Sequence, residues 1–105
     1  RPPQKHSPLN QINGEQALIM EFDQVKSHYL TSFNNYNTNK EKMELSKKIY
    51  NKTILKYTEG VASSFELTQN QGQYLTAQSN YFNSMLTLLQ NKAKLDRILK
   101  KYEKQ

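Results

Sequence analysis

The residues of this sequence that could do chemistry are few and far apart. Neither His6 nor His28 has a carboxylate or a second histidine at the i,i+4 spacing that would hold a metal ion on a helix. The chain has no cysteine, which excludes disulfides, thiol catalysis and thiolate metal ligands. Gly14, Gly60 and Gly72 are too widely separated to form a phosphate-binding loop. The sequence therefore predicts no enzyme, no metal site and no cofactor.

The composition favours a thin core over a packed cleft. The chain has 105 residues, enough for one domain, and only 35% of them are hydrophobic even when tyrosine is counted. Asn and Gln make up a fifth of the sequence. Because ligand clefts are walled by apolar residues, this composition favours a long, narrow helical protein. No apolar run approaches the roughly 18 to 20 residues of a membrane-spanning helix.

Proline separates a leader from the rest of the chain. Residues 1–13 contain all three prolines and no apolar period, and they are predicted to form an irregular leader or linker. Asn13 followed by Gln16 is typical of a helix start. No proline occurs after this point. We therefore expect a first helix over about residues 14–58.

The first helix carries a heptad rhythm in which large and small residues alternate. The spacing of four and three residues predicts one face that packs on a neighbouring helix. The positions of one register are large: Phe22, Tyr29, Tyr36, Met43, Tyr50 and Tyr57. The positions of the other become small and polar along the chain: Leu18, Val25, Ser32, Asn39, Ser46 and Thr53. This pattern predicts a partly polar seam or a close helical neighbour.

The rhythm breaks around residues 59–63, where a turn is predicted. Gly60 is placed to adopt the left-handed conformation that ends a helix. Ser63 and Glu66 form a capping box, in which the serine side chain accepts from the Glu66 N–H and the glutamate reaches back to the serine. So short a connection makes the two helices antiparallel. We expect an all-α fold, a long antiparallel coiled-coil hairpin whose second helix covers about residues 64–102.

The second helix carries two stripes at heptad spacing. One comprises Leu67, Asn70, Tyr74, Ala77, Tyr81, Ser84, Leu88, Asn91, Leu95, Ile98 and Tyr102. The other comprises Phe65, Thr68, Gly72, Leu75, Ser79, Phe82, Leu86, Leu89 and Ala93. A helix with two seams needs two helical neighbours, and the first helix supplies one. Gly72 and Ala77 are predicted to permit close helix approach.

The charge pattern does not favour nucleic-acid binding. The net charge is +6, with lysines clustered over residues 40–56 and 92–104, and no charged residue lies between Leu67 and Asn91. A nucleic-acid-binding rod needs a continuous basic stripe with exposed aromatic side chains. Here the aromatic residues fall in the heptad seams. We predict no nucleic-acid partner.

At the turn and along the second helix, the sequence resembles the TolC-like outer-membrane efflux proteins. The family pattern has Tyr, Gly, Ser or Thr, and an acidic residue followed by Leu at fixed spacing. Ala, Gln, Asn-Tyr and Leu then recur at helical spacing. The resemblance is specific over about residues 50–99, looser over 17–49 and absent over 1–13. The matching residues here are Tyr57, Gly60, Ser63, Glu66, Leu67, Gln71, Leu75, Ala77, Asn80, Tyr81, Leu86, Leu89, Ala93 and Leu95.

The resemblance implies a transport role. Family members are trimers whose helical hairpins pack side by side into a periplasmic α-barrel, the tunnel of an outer-membrane export channel. This chain would be one hairpin, a stave of that barrel, excised from a longer protein. Its tip would dock onto a periplasmic adaptor, the membrane fusion protein of a tripartite pump, and so link indirectly to an inner-membrane pump. The implied docking residues are Glu59, Gly60, Val61, Ala62 and Ser63.

The resemblance also implies a tunnel constriction just past the tip. Glu66 matches an acidic position of the family, while Gln69 stands where a second carboxylate can occur. Tyr57, on the first helix just before the tip, is the third residue assigned to the constriction. Ala62 occupies a position where some relatives carry a basic gating residue. Each residue also has a structural explanation: Gly60 as a helix terminator, Ser63 and Glu66 as a cap, and Tyr57 as a packing residue.

One alternative remains open at this stage. A structural or adaptor coiled-coil hairpin would bind protein partners without forming a conduit, and it would need only one seam. The second stripe of the second helix separates the two hypotheses. As an isolated fragment, the chain is expected to bury its exposed seams in a dimeric antiparallel four-helix bundle.

Overall fold

Two long helices make up the chain, as the all-α prediction requires. The structure, a computed structural model, describes residues 2–103, with side chains described for residues 14–101 and for Glu103. Helix α1 spans Pro2–Thr58 and helix α2 spans Ser64–Glu103. The chain packs as two units: unit 1 is Arg1–Thr31 with Leu89–Gln105, and unit 2 is Ser32–Leu88. In the described part, neither helix has a stretch long and apolar enough to cross a membrane.

Helix α1 begins earlier than the sequence pattern indicates. The predicted start was near residue 14, whereas the helix includes the backbone from Pro2 onward. Pro2 and Pro3 stand in the first turn, where a backbone N–H has no partner within the helix and its absence costs nothing. Arg1 and the side chains of residues 2–13 lie outside the part that the structure describes, so the rest of the leader prediction is not tested. The leader's role as a linker stays a prediction.

In unit 2 the heptad residues of α1 form the seam with α2. Ser32 and Thr53 are buried, and Tyr36, Asn39, Met43, Ser46 and Tyr50 are partly buried. The matching stripe of α2 is partly buried along its whole length in this unit: Leu67, Asn70, Tyr74, Ala77, Tyr81, Ser84 and Leu88. Each predicted seam residue of this unit is thus shielded except Tyr57, which is 46% exposed.

Pairs across the seam establish that the two helices of unit 2 run antiparallel. Thr53 near the end of α1 meets Asn70 near the start of α2, and the Asn70 Nδ2 donates to the Thr53 Oγ1 over 2.8 Å. Further from the turn, the rings of Tyr50 and Tyr74 stack with centroids 5.9 Å apart. The small polar positions therefore hold hydrogen bonds while the large positions hold ring contacts, which is the partly polar seam that the sequence predicts.

Unit 1 has a seam of its own that is more aliphatic. On α1, Leu18, Phe22, Val25 and Tyr29 are partly buried, and on α2 Ile98 is buried. Asn91 and Leu95 are partly buried beside it on α2. The Asn91 Nδ2 donates to the His28 backbone carbonyl over 3.4 Å, a long bond that joins the two helices of this unit.

Candidate functional site

The predicted turn between the helices is a tight tip held by backbone hydrogen bonds. Gly60 has a φ of 79°, the left-handed conformation expected of it. Its N–H donates to the Tyr57 carbonyl over 3.0 Å, and the Val61 N–H donates to the Lys56 carbonyl over 2.8 Å. These two bonds define a Schellman motif, which satisfies carbonyls that the end of α1 would otherwise leave open. The tip is therefore a specified turn.

Helix α2 starts with the serine cap that the sequence predicts. The Ser63 Oγ accepts a hydrogen bond from the Glu66 backbone N–H over 3.1 Å. The Ser63 carbonyl accepts the first helical bond, from the Leu67 N–H over 3.1 Å. Both bonds fix the direction in which α2 leaves the tip. Glu66 also places a carboxylate in the first turn, where the helix dipole favours negative charge.

Four of the five predicted docking residues present their surface to solvent. Glu59, Gly60 and Ser63 are exposed, and the Val61 side chain is 72% exposed. Ala62 is only 8% exposed, so it packs into the tip. The exposed Val61 side chain and the acidic Glu59 give the tip a small contact surface.

The three predicted constriction residues lie near the tip. Tyr57 is in the last turn of α1, while Glu66 and Gln69 are exposed on α2. Because they are three residues apart on one helix, Glu66 and Gln69 share a face. Gln69 also lines an open groove of about 580 Å³, formed by both helices of unit 2.

Beyond the tip, the second stripe of α2 is left open. Within unit 2 its seven members are all exposed, and we call them the exposed stripe: Phe65, Thr68, Gly72, Leu75, Ser79, Phe82 and Leu86. The large members keep much of their surface, with Phe65 75%, Leu75 54% and Leu86 57% exposed. Apolar side chains repeated at heptad spacing on one helix face are typical of a packing surface. In this chain α1 covers the other stripe.

The two helices of unit 2 differ in the charge of their outward faces. No charged residue stands on α2 from Leu67 through Leu88. The face of α1 opposite the seam is exposed, and it carries four charged residues, Glu41, Glu44, Lys48 and Lys52. Leu45 and Leu55 are exposed there as well. The exposed stripe is therefore neutral, while the outward face of α1 mixes charged and apolar residues.

A second open groove of unit 2 is lined by neutral amides and hydroxyls. Its volume is about 270 Å³, and it shares Asn39 and Asn80 with the larger groove. Both grooves follow the small positions of the heptad, such as Ser46 in the larger groove and Ser84 in the smaller. Where both helices carry small residues, they leave space between them. These grooves were not predicted from the sequence, although the alternation of large and small residues is their signal.

One expectation about close packing is wrong for this chain. Gly72 was predicted to permit close helix approach, but a Cβ placed there would meet nothing within 4 Å. Gly72 lies in the exposed stripe and lines the larger groove, where no atom of α1 comes close enough to contact a Cβ. Ala77, the other residue predicted for this role, is partly buried and lines the larger groove.

Comparison with known proteins identifies no relative of this chain. No protein family, curated protein or solved structure matches the chain. The resemblance to TolC-like proteins therefore stays a prediction. Among the residues that the structure describes, no group of His, Asp or Glu is arranged to hold a metal ion. What this site offers is an exposed tip and an uncovered apolar helix face.

Proposed function

We propose that this chain is a stave of a periplasmic export tunnel, part of a trimeric outer-membrane efflux channel of the TolC-like kind. Its tip docks onto the hairpin of a periplasmic adaptor protein in a tripartite pump. The observation that carries the proposal is the exposed stripe of α2, a second packing face on a helix whose first face α1 already covers. A stave needs two lateral neighbours, and this helix has surfaces for two.

The angle between the two stripes supports a closed ring of helices. With about 100° per residue, the centres of the two stripes in unit 2 lie about 160° apart around α2. Neighbours placed at less than 180° curve a layer of helices toward one side, as a closed ring requires. An angle near 180° would favour a flat layer instead.

The tip has the features expected of a docking point. Its backbone is fixed by the Schellman motif and by the Ser63 cap, so binding would cost little ordering entropy. Val61 offers an exposed apolar side chain in the turn. Glu66 and Gln69 follow on α2, where they would line the narrow end of the tunnel, and Tyr57 lies on the adjoining turn of α1.

The alternative of a plain coiled-coil hairpin explains less of the sequence. Such a hairpin needs the seam between α1 and α2 and nothing more. It gives no reason for Phe65, Leu75, Phe82 and Leu86 to repeat along the solvent side of α2, which has no charged residue from Leu67 through Leu88. Exposed apolar side chains in a regular stripe lower solubility unless a partner covers them.

The docking claim can be tested by titrating this chain with the isolated helical hairpin of a periplasmic adaptor from the same organism. Isothermal calorimetry measures the affinity, and circular dichroism confirms that every variant remains helical. Val61→Lys places a charge at the tip without touching a hydrogen-bonding side chain, and we expect it to weaken binding at least tenfold. Leu45→Lys is the matched control, since Leu45 is 59% exposed on α1 and far from the tip in sequence.

Saturable binding that Val61→Lys weakens and Leu45→Lys leaves unchanged would support the export role. Equal loss in both variants would place the contact elsewhere on the hairpin. A folded wild-type chain that binds no adaptor hairpin at millimolar concentration would contradict the proposed docking.

A further inference from the structure

The paired rings of Tyr36 and Tyr81 approach each other at their hydroxyl ends. Tyr36 lies on α1 and Tyr81 on α2 of unit 2, 45 residues apart in sequence, and both are partly buried in the seam. Their ring centroids are 5.4 Å apart, whereas their hydroxyl oxygens are only 3.2 Å apart. The ortho carbons of a phenol flank the carbon that carries the hydroxyl, so they lie at the end of each ring where this pair converges. These are the carbons that couple when two tyrosines are oxidised to radicals.

Proximity favours this pair over the other tyrosines for such a coupling. A radical on one ring finds the other ring already held against it by the two helices, so the reaction is effectively unimolecular. The other tyrosine pair across the seam, Tyr50 and Tyr74, is wider, with centroids 5.9 Å apart. Among the tyrosines whose side chains the structure describes, Tyr57 is the most exposed, at 46%, so coupling between separate chains would start there.

We propose that Tyr36 and Tyr81 form an oxidative cross-linking site, where a haem peroxidase with hydrogen peroxide joins the two rings by a carbon–carbon bond. The peroxidase passes one electron and one proton from each phenol to the peroxide, which becomes two molecules of water. The two phenoxyl radicals join at their ortho carbons. The hydrogens on those carbons then move as protons to the oxygens, which restores both hydroxyls. The chain loses two hydrogen atoms in total.

The product is a covalent link between α1 and α2. The chain has no cysteine, so a disulfide cannot supply such a link. A bond between residues 45 apart in sequence constrains the unfolded chain and stabilises the folded one, as a disulfide does. We expect the midpoint of urea unfolding to rise by at least about 1 M in the cross-linked chain. The inference concerns the seam alone and does not depend on the export role.

Oxidation of the purified chain with peroxidase and hydrogen peroxide, at low micromolar chain concentration, tests the site. Trypsin cleaves after lysine, which puts Tyr36 in the peptide 27–40 and Tyr81 in the peptide 57–92. Mass spectrometry of the digest is expected to find these two peptides joined, with a mass two hydrogen atoms below their sum. Fragment ions are expected to place the new bond at the two tyrosines.

Phenylalanine variants test which rings take part, because phenylalanine keeps the ring but has no hydroxyl to oxidise. Tyr36→Phe and Tyr81→Phe should each lower the yield of dityrosine, followed by its fluorescence, at least tenfold. Tyr50→Phe is the matched control, since it removes one ring of the wider pair, and it should change the yield less than twofold. Circular dichroism shows whether each variant has kept its helices.

Several results would overturn the proposal. One is a main product that joins the peptide 49–52, which contains Tyr50, to the peptide 57–92. Another is dityrosine that forms only between separate chains. Oxidation of Tyr57 in a helical chain that forms no internal cross-link would show that the convergent rings do not couple. An undiminished yield in Tyr36→Phe or Tyr81→Phe would equally exclude this pair as the site.

Discussion

The hydroxyl oxygens of Tyr36 on α1 and Tyr81 on α2 lie 3.2 Å apart, within hydrogen-bonding distance across the seam. Their ring centroids are 5.4 Å apart, in a tilted arrangement. The pair thus joins the helices twice, through apolar ring contact and through a polar bond at the ring tips. It shows how a chain with little aliphatic core fills its seam, using large residues that are partly polar.

Because of this pair, we expect the stability of the folded chain to decrease at alkaline pH. The hydrogen bond with Tyr36 raises the pKa of Tyr81 above the ordinary value of 10.0, with smaller contributions from burial and from the charges of Tyr36 and Glu44. The folded state then keeps this proton more tightly than the unfolded state. Its contribution to stability is complete below pH 10 and is lost as the pH rises through the folded-state pKa.

Ultraviolet titration of tyrosinate is expected to show a tyrosine that ionises later than the rest. Tyr36→Phe should bring that titration back toward the others, while Tyr29→Phe, in unit 1, should leave it unchanged. A single common transition in the wild-type chain would be inconsistent with the hydrogen-bonded pair.

Thr53 and Asn70 form a polar pair near the tip, and we expect their contributions to stability to be coupled. The buried Thr53 Oγ1 donates to the Ile49 carbonyl over 2.8 Å and accepts from the Asn70 amide. Thr53→Val leaves the Asn70 amide without this acceptor, and we expect it to lower the free energy of unfolding by about 1–2 kcal/mol. Adding Asn70→Leu should recover part of the loss, because no unpaired amide remains. Urea unfolding of the wild type, Thr53→Val, Asn70→Leu and the double variant measures the coupling free energy between the two side chains. If the effects of the two substitutions simply add, the Thr53–Asn70 hydrogen bond does not contribute to stability.

Alanine substitutions at Gly60 and Gly72 are expected to change the stability of the chain in opposite directions. A Cβ would meet nothing within 4 Å at either position, so sterics do not distinguish them. Gly60 has a positive φ, and Gly60→Ala is expected to cost about 1–2 kcal/mol because alanine disfavours that conformation. Gly72 lies inside α2, and Gly72→Ala is expected to stabilise the chain by about 0.5–1 kcal/mol. Thermal unfolding followed by circular dichroism compares them, and equal effects would refute the assigned backbone roles.

Because Ser63 caps α2 and Ser64 does not, we expect alanine substitutions at these two serines to differ in their effect on stability. Ser63 accepts from the Glu66 N–H, and Ser63→Ala is expected to cost about 1 kcal/mol through loss of the cap. Ser64 is the first residue of α2, and Ser64→Ala should be neutral or slightly stabilising because alanine is the better helix former. Equal destabilisation by the two substitutions in chemical unfolding would rule out the specific cap.

Much of the fold follows from sequence periodicity. The heptad residues of α1, from Leu18 to Thr53, are those that the structure shields, because spacing alone determines which side of a helix they share. The turn followed equally well from Gly60 and Ser63, whose local chemistry does not depend on distant residues. Tyr57 was the exception in the seam, since it lies in the last turn of α1, beside the tip.

Other features depended on information that a local pattern does not contain. The start of α1 at Pro2 could not be read from apolar spacing, because the leader has none. Ala62 was grouped with the exposed tip, yet its burial depends on how the turn folds back. Gly72 was assigned to a close contact because small residues often permit one, while the structure leaves it open. The sequence marked this stripe as a packing face, and the structure leaves it exposed in unit 2 because α1 covers only the other stripe.

The most direct test of the central claim is to identify what contacts the tip inside the cell. A photoreactive benzoylphenylalanine at Val61, introduced into the protein in its source organism, would cross-link to its nearest neighbour on irradiation, and mass spectrometry would identify the product. The same amino acid at Leu45 is the control. We predict that position 61 captures a periplasmic adaptor protein and that position 45 does not. Capture of a cytoplasmic protein at position 61, or equal capture of the adaptor at both positions, would contradict the claim that the tip is the docking point of an export channel.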